Sequence, residues 1–465
     1  MMGLEPESWL VIGMFSTFIL LLFTGFPVAW VLAGTGILFA GVAYLTDNYW
    51  ETATGIDYNS LGLLVGRIYD IMNNWVLVAL PMFIFMGLML DKSGVAERMM
   101  HSMQKLFGNV KGGLAITVTL IGIILAASTG IIGASVVLLG VMSLPVMMKQ
   151  RYNKSLALGT VAASGCLGIL IPPSIMLVIM GDQLGVSVGD LFMGAVFPGL
   201  ILGVLYMAYI LIYGLLRPED APLANDHRGV TWADIGRVFL DIIPPAILIF
   251  AVLGSIFMGI ATVTEASGVG AFGAAVLAAA YKRFDFAVLK EVTINTMNTS
   301  AYIFAIFVGA TVFALVLREC GGDELIESVL TGMGLGPYGL IIFVLSVVFL
   351  LGFFLDWIEI SLIILPLLGP VIKGLGLDID GYGVVDNPEL VWFALLVAVT
   401  LQTSFLTPPV GFALFYLKGV CPPEVKLVDI YKGVVPFILL QLVGLALVFI
   451  FPALVTWLPA VAYGN

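Results

Sequence analysis

Residues 162–174 read AASGCLGILIPPS and residues 401–412 read LQTSFLTPPVGF, two apolar stretches interrupted by small, hydroxylated and proline residues. Proline has no backbone N–H and fixes its own φ, so each Pro-Pro pair breaks the helix that runs into it. The two pairs, beginning at Pro172 and Pro408, lie 236 positions apart in a chain of 465 residues. The sequence therefore predicts two broken helices at corresponding places in two similar halves.

The correspondence extends beyond the Pro-Pro pairs. Pro198 and Pro436 follow the two breaks at nearly the same distance. We predict a first repeat over residues 1–217, a cytoplasmic linker over 218–238 and a second repeat over 239–465. An odd number of crossings in each half would turn the second repeat upside down relative to the first. Inverted repeats with paired broken helices are typical of secondary transporters.

Composition places the whole chain in a membrane. Apolar residues make up 61% of it and charged residues only 11%, whereas soluble domains carry about 25% charged residues. The net charge of −11 and the scattered bases argue against nucleic acid as a partner. Three widely spaced cysteines indicate neither a disulfide framework nor a metal site. No HExxH, GxSxG or GxxxxGK[ST] motif is present, so the common hydrolase and ATPase chemistries have no support.

Ten apolar segments are long enough to cross a bilayer core of about 30 Å. They lie at 8–24, 27–46, 62–90, 155–181, 191–215, 240–261, 264–281, 292–317, 390–417 and 434–458. Those at 155–181 and 390–417 are the broken helices. Two further stretches, 113–148 and 339–372, are too long for one span and are interrupted near Ser128–Ser135 and Asp356–Glu359. We interpret both as re-entrant hairpins.

The distribution of charge supports the hairpins. With ten crossings, two hairpins and an outside N-terminus, 16 of the 19 lysines and arginines fall on the cytoplasmic side. This satisfies the positive-inside rule, which would fail if the two hairpins were simple spans. The predicted fold is therefore an all-α polytopic membrane protein, an inverted repeat of about five crossings and one hairpin per half. Both termini are predicted to lie on the outer side of the membrane.

Several motifs together resemble one protein family. They are Gly133-Ala134-Ser135, residues 162–174 and 401–412, Gly259–Ala266 and Phe354-Leu355-Asp356. These stretches resemble the large membrane subunit of tripartite ATP-independent periplasmic (TRAP) transporters, and the resemblance covers essentially the whole chain. It implies a sodium-driven importer of small carboxylates that works by an elevator movement, with Na⁺ as coupling ion and no other cofactor.

The resemblance also implies a bacterial inner membrane as the location, with both termini periplasmic, and it implies two partners. One is a small four-helix membrane subunit, and the other is a periplasmic binding protein that captures the substrate. The substrate class implied is a C4-dicarboxylate, a 2-oxoacid or a related organic acid. The sequence of residues 354–360 resembles the family branch that handles 2-oxoacids, mannitol or haloaromatic acids more than it resembles the sialic acid branch.

Sodium prefers oxygen ligands, which hydroxyls and unpaired carbonyls supply at broken helices. The carbonyls four residues before each proline lose their helical donor, which predicts free carbonyls at 168, 169, 404 and 405. We predict one sodium site between the first hairpin tip and the first break, and a second between residues 352–356 and 404–410. The predicted ligands are Ser128, Thr129, Gly133, Ser135, Gly168 and Pro172 in the first, and Gly352, Ser404, Thr407 and Val410 in the second. The resemblance places Ser404, Thr407 and Val410 at family sodium-ligand positions. Each hydroxyl could instead bond its own helix backbone.

Arg318 lies at the end of an apolar span. Its guanidinium can bind a carboxylate with two parallel hydrogen bonds. The resemblance implies a role for it in transport of acidic substrates, and the alternative is an arginine anchored at the membrane interface. Asp356 at the second hairpin tip is the other ionisable candidate. Ser128 and Ser174 complete the predicted substrate contacts. Glu265 is expected at mid-membrane, as an acid that fixes helix packing.

Two other functions remain open from the residues alone. A stand-alone sodium/divalent-anion symporter would share the hairpins and the inverted repeat, but would transport without partner subunits. An intramembrane enzyme would need a nucleophile with a base, or a metal cluster, at membrane depth. The two histidines, His101 and His227, lie in polar connecting segments, which disfavours an enzyme.

Overall fold

The computed structural model describes residues 5–50, 52–129, 132–223, 231–408 and 411–464. The side chains of residue 58 and residues 126–129 lie outside this description. All regular structure in the described ranges is helical. Nine of these helices are long and apolar enough to cross a membrane. The prediction of an all-α polytopic membrane protein is confirmed.

Within its described residues, the first half contains ten α-helices. They are α1 (Pro6–Leu22), α2 (Val28–Tyr49), α3 (Tyr58–Met72), α4 (Ala79–Lys92), α5 (Val95–Phe107), α6 (Gly113–Thr129), α7 (Ile132–Lys149), α8 (Lys154–Cys166), α9 (Ile175–Leu184) and α10 (Val188–Leu216). Short 3₁₀ segments at Val76–Val78 and Leu167–Ile169 precede α4 and follow α8.

The described part of the second half also contains ten α-helices. It contains α11 (Trp232–Phe257), α12 (Val263–Ala280), α13 (Phe286–Glu319), α14 (Gly322–Gly332), α15 (Pro337–Leu351), α16 (Trp357–Gly374), α17 (Pro388–Leu406), α18 (Phe412–Val420), α19 (Leu427–Ile450) and α20 (Ala453–Tyr463). The amphipathic connectors α5 and α14 were not predicted from the sequence.

The packing of the helices relates the two halves. Helix α2 packs on α13 and α12 packs on α4, while α9 packs on α16 and α18 on α7. In each set, the second contact joins the counterparts, in the opposite halves, of the two helices of the first contact. This exchange is expected for two related repeats, and their inverted orientation stays a prediction. The division at 217 and 239 itself stays a prediction.

Two predicted spans differ from the structure. Residues 62–90 do not form one helix, because the chain bends by 58° between α3 and the segment that begins at Val76. The predicted span 434–458 is divided between α19 and α20, with Pro452 at the start of the second.

The two arms of the second hairpin differ in length. Helix α15 has 15 residues, about 22 Å at 1.5 Å per residue, which is shorter than a bilayer core of about 30 Å. Helix α16, like α7 of the first hairpin, is among the helices long enough to cross, so the re-entrant course of the hairpins stays a prediction. The second hairpin turns at residues 352–356, because Trp357 and Glu359 already belong to the first turn of α16. The tip predicted at Asp356–Glu359 therefore lies a few residues earlier.

The broken helices form the centre of the molecule. All residues of 156–166 in α8 and of 390–406 in α17 are buried, and a helix that is apolar on every face belongs inside a bundle. Helix α8 also approaches α19 closely, since a Cβ on Gly159 would lie 2.0 Å from the Gly433 carbonyl oxygen. Only glycine permits this contact, which brings the backbones of the two halves together beside the first break.

Candidate functional site

The second hairpin tip meets the second helix break at one close contact. A Cβ on Gly352 would lie 2.2 Å from Ser404 Oγ and 2.9 Å from Ser404 Cβ. The absence of a side chain at Gly352 therefore lets the tip rest directly on α17. This contact brings together two of the residues predicted to bind sodium in the second half.

The hydroxyls beside this break are bonded to their own helix. Ser404 Oγ donates to the Leu401 carbonyl (2.8 Å) and Thr407 Oγ1 donates to the Thr403 carbonyl (2.8 Å). The hydroxyl oxygens keep lone pairs for another contact. The Ser404 carbonyl accepts the Thr407 N–H (3.0 Å), so the prediction that it is free was wrong. Val410 lies outside the described residues.

The first hairpin also lies against the first break. A Cβ on Gly165 would come 2.9 Å from Val136 Cα, which places the beginning of α7 against the end of α8. Ser135, Gly168 and Pro172 are all buried in this region. The side chains of the two predicted ligands Ser128 and Thr129 lie outside the described residues.

The first hairpin reaches the second half as well. A Cβ on Gly133 would lie 3.0 Å from the ring of Tyr416 in α18. This contact places α18 of the second half against the first hairpin.

Ser174 closes the first break. Its hydroxyl donates to the Ile169 carbonyl (2.5 Å) and accepts the Leu177 N–H (3.5 Å) as the N-cap of α9. The expectation of a free carbonyl at Ile169 was therefore wrong, because a side chain replaces the donor that Pro173 lacks. Ser174 is fully buried, and its predicted substrate contact stays a prediction.

An acidic pair marks the second hairpin. Asp356 caps α16 by accepting the Trp357 N–H at 2.8 Å. Glu359, one turn later, is only 1% exposed, and its Oε2 has no hydrogen-bond partner among the described residues. The amide of Gln402 in α17 is likewise buried without a partner in the described chain. Our sequence reasoning did not use Glu359 or Gln402 as site residues, although Glu359 stands in the motif at the hairpin tip.

Arg318 stands at the end of α13. Its Nε lies 3.3 Å from Asp323 Oδ2, and the two side chains are 40% and 47% exposed. Burial raises the pKa of the Asp323 carboxyl above its usual range, and the positive charge of Arg318 opposes that rise. Arg318 also lines a cavity of about 240 Å³ that Arg67 of α3 lines from another side. Our sequence reasoning assigned no role to Arg67.

Glu265 does not lie at mid-membrane. It occupies the first turn of α12, where it is exposed and accepts the Thr262 N–H at 2.8 Å in a capping box. It therefore caps its own helix, and the expected role in fixing the packing between helices was wrong. The prediction placed it too deep because its apolar neighbours belong to two helices, α11 and α12, rather than one span.

A model of a known family matches almost the whole chain. This family is described as the DctM component of tripartite ATP-independent periplasmic transporters, and the match extends over residues 15–454. The chain belongs to this family. It is therefore the large permease subunit of a TRAP transporter and not an enzyme.

Individual relatives of this DctM-family chain differ in substrate. The C4-dicarboxylate TRAP transporter large permease protein of Pseudomonas aeruginosa is 29% identical over 402 residues, covering 86% of this chain and 90% of that protein. The sialic acid TRAP transporter large permease protein of Vibrio cholerae is 28% identical and covers 96% and 97%. The ectoine/5-hydroxyectoine TRAP transporter large permease protein of Ruegeria pomeroyi is 28% identical and covers 97% and 99%.

A solved structure shares the architecture. The YdaH transporter of Alcanivorax borkumensis superposes with a TM-score of 0.62 at 12% sequence identity, covering 94% of this chain and 98% of that one. At this identity the likeness concerns the fold alone.

Proposed function

We propose that this DctM-family chain is the sodium-coupled permease of a bacterial inner-membrane importer of small carboxylates. A periplasmic binding protein would deliver the substrate, and a separate small four-helix membrane subunit would complete the transporter. The observation that carries the proposal is the contact of Gly352 with Ser404, where a hairpin tip meets a broken helix. Such meeting points of discontinuous helices are where secondary transporters bind substrate and coupling ions.

The second break supplies the kind of donors that sodium takes. Ser404 and Thr407 each donate their hydrogen to their own helix, so their oxygen lone pairs remain for a cation. The sodium site proposed here uses these two hydroxyls with backbone oxygens of Gly352 and Val410. In the first half, the buried backbone of Gly168 and Pro172 with Ser135 of α7 would form the corresponding site.

Arg318 supports an acidic substrate. The Nε of its guanidinium lies 3.3 Å from Asp323 Oδ2, and the guanidinium has further N–H groups that can bind a carboxylate in parallel. The relatives that transport C4-dicarboxylates and sialic acid agree with a negatively charged substrate. In an elevator movement, the hairpins and broken helices would carry the substrate past α2, α4, α12 and α13.

Reconstituted uptake tests the coupling ion. Proteoliposomes with the chain, its small subunit and its binding protein should accumulate radiolabelled succinate or pyruvate when a sodium gradient points inward. Replacing sodium with potassium should abolish uptake, and added ATP should change nothing. Undiminished uptake without sodium would refute the proposal, whereas uptake by the chain alone would favour the stand-alone sodium/divalent-anion symporter.

Arg318 can be tested in the same assay. Losing a charge-assisted contact costs about 1.5–3 kcal/mol, so Arg318→Ala should weaken apparent substrate affinity by roughly ten- to a hundredfold. Arg318→Lys should rescue only partly, because an ammonium lacks the planar fork. If Arg318→Lys transports at the wild-type rate in correctly assembled protein, Arg318 is an interface anchor instead.

A further inference from the structure

A hydrogen bond joins the bend after α3 to the end of the first broken helix. Asn74 Nδ2 donates to Asp182 Oδ1 at 2.5 Å. Asn74 stands between α3 and α4, and Asp182 lies in the last turn of α9. In the proposed elevator movement, α9 is carried as part of the first broken helix, whereas α4 stays in place. The contact therefore connects a moving part of the molecule with a stationary one.

Both partners of this bond are held in a fixed orientation. Asn74 Oδ1 accepts the Val76 N–H at 2.9 Å, which directs Asn74 Nδ2 towards α9. Asp182 Oδ2 accepts a hydrogen bond from Gln183 Nε2 at 2.8 Å, which leaves Oδ1 for Asn74. An amide N–H that meets a carboxylate makes a charge-assisted hydrogen bond, which is stronger than one between two neutral groups.

The bend itself is attached to the stationary helices α2, α4, α12 and α13, which we call the framework. Thr264 Oγ1 of α12 donates to the Trp75 carbonyl at 2.8 Å, and α12 packs along α4. The chain turns by 58° at the bend. Helix α13, the counterpart of α4 in the second half, instead runs without a break from Phe286 to Glu319. The bend and its contact with α9 are therefore a feature of the first half.

Open space borders the contact. Asn74 and Asp182 both line a cavity of about 240 Å³. Asp182 also lines a crevice of about 760 Å³, together with Trp75 and Glu265. Each space is far larger than the roughly 10–15 Å³ that one water needs. Water can therefore replace the hydrogen bond when the two helices separate, so that neither the amide nor the carboxylate is left unpaired.

We propose that Asn74 and Asp182 form a latch, which holds the first broken helix to the framework in the position described and opens each time the broken helices move. This inference rests on the proposed elevator movement and adds the place where the moving helices are held. A hydrogen bond bordered by open space suits a contact that breaks and re-forms, because water takes the place of either partner.

Cross-linking tests whether the contact opens during transport. In the assembled complex, Asn74→Cys and Asp182→Cys are joined by a short bifunctional methanethiosulfonate, and uptake is measured before and after. Uptake should fall by about tenfold or more, because a required movement is blocked, and it should return when a reductant cleaves the link. The parent chain gives the background from the three native cysteines.

The chain offers a matched control pair. Asn153 Nδ2 donates to Asp220 Oδ1 at 3.2 Å, and these two residues lie at the start of α8 and just after α10, outside the framework. The same reagent should join Asn153→Cys and Asp220→Cys and change uptake by less than about twofold, because the link does not cross between moving and stationary helices.

Two results of this experiment would overturn the latch. If the control pair cross-links and the pair at 74 and 182 does not, the two side chains are not in contact in the membrane. If the cross-linked pair at 74 and 182 transports at its rate before cross-linking, the contact does not have to open.

A buried cysteine reports the latch without any need for transport. Leu77 is 2% exposed and lies in the 3₁₀ segment that packs on α9, so Leu77→Cys is shielded while the latch is closed. Asn74→Asp places two carboxylates against each other and should raise the rate of modification by neutral methyl methanethiosulfonate by about tenfold. Asn153→Asp is the control, since it also faces a carboxylate, that of Asp220, and it should leave the rate unchanged.

A milder variant keeps the test open if Asn74→Asp does not assemble. Asp182→Asn preserves the shape of the pair but removes its charge, so the rate should rise by a smaller factor, about threefold. An unchanged rate in Asn74→Asp, or in Asp182→Asn where Asn74→Asp does not assemble, would overturn the inference. These rates depend on neither sodium nor substrate, so a failure here is distinct from a failure of sodium-driven uptake.

Discussion

The two proline breaks occupy corresponding places in the two halves but satisfy their backbones differently. In the first break, Ser174 follows Pro173 and donates its hydroxyl to the Ile169 carbonyl at 2.5 Å. In the second break, the corresponding residue after the prolines is Val410, whose side chain has no donor. The hydroxyls of the second break stand before the prolines instead, at Ser404 and Thr407.

One repeated architecture can therefore form two unlike sodium sites. A hydroxyl after the prolines replaces a lost helical donor and closes the break. Hydroxyls before the prolines leave oxygen lone pairs beside the hairpin tip. We therefore expect the second helix break to contribute side-chain hydroxyls to its sodium site and the first break to contribute backbone oxygens.

The largest effect is expected where the second hairpin touches α17. Gly352→Ala adds a Cβ 2.2 Å from Ser404 Oγ, and because Ser404 Cβ is also close, the tip must move. Overpacking of this kind typically costs about 1–3 kcal/mol, so sodium-driven uptake should fall by roughly tenfold or more. Gly268→Ala in α12 is the control, since a Cβ there meets no atom within 4 Å. Equal activity of the two variants would show that the tip does not rest on Ser404 in the working protein.

A smaller effect is expected from a single hydroxyl of the second break. Thr407→Ala should raise the sodium concentration for half-maximal uptake by about tenfold, which corresponds to about 1.4 kcal/mol. Thr407→Ser should keep most of the affinity because the oxygen remains. The control is Thr400→Ala, two turns earlier on α17, where the hydroxyl is buried and donates to the Leu396 carbonyl at 2.8 Å. An unchanged sodium dependence in Thr407→Ala would remove this hydroxyl from the proposed ligands.

The smallest effect on transport is expected from the hydroxyl of the first break. Ser174→Ala removes an N-cap and the donor to Ile169, so the purified complex should lose about 1–2 kcal/mol of stability. Thermal unfolding measures that loss. Sodium and substrate concentrations for half-maximal uptake should change less than about twofold, because both roles of the hydroxyl are internal. A large rise in the substrate value would instead support the substrate contact predicted for Ser174.

Much of the fold could be predicted from the sequence because its causes are local. Hydropathy and the distribution of bases indicated a polytopic membrane protein, and each Pro-Pro pair located a helix break within a few residues. Free carbonyls were predicted less well. Proline removes a donor from the backbone, but the sequence does not say whether Ser174 or the Thr407 N–H will replace it.

The chain by itself determined which residues are available: two proline breaks, hydroxyls at 404 and 407, glycines at the hairpin tips and an arginine at the end of α13. These follow from side-chain chemistry and short-range backbone rules. Only the tertiary structure decided which of them meet. The bend after α3 brings Arg67 to the cavity of Arg318, and packing of the hairpin on α17 brings Gly352 to Ser404. Such contacts join segments tens to hundreds of residues apart, and they depend on how whole helices pack rather than on any local pattern.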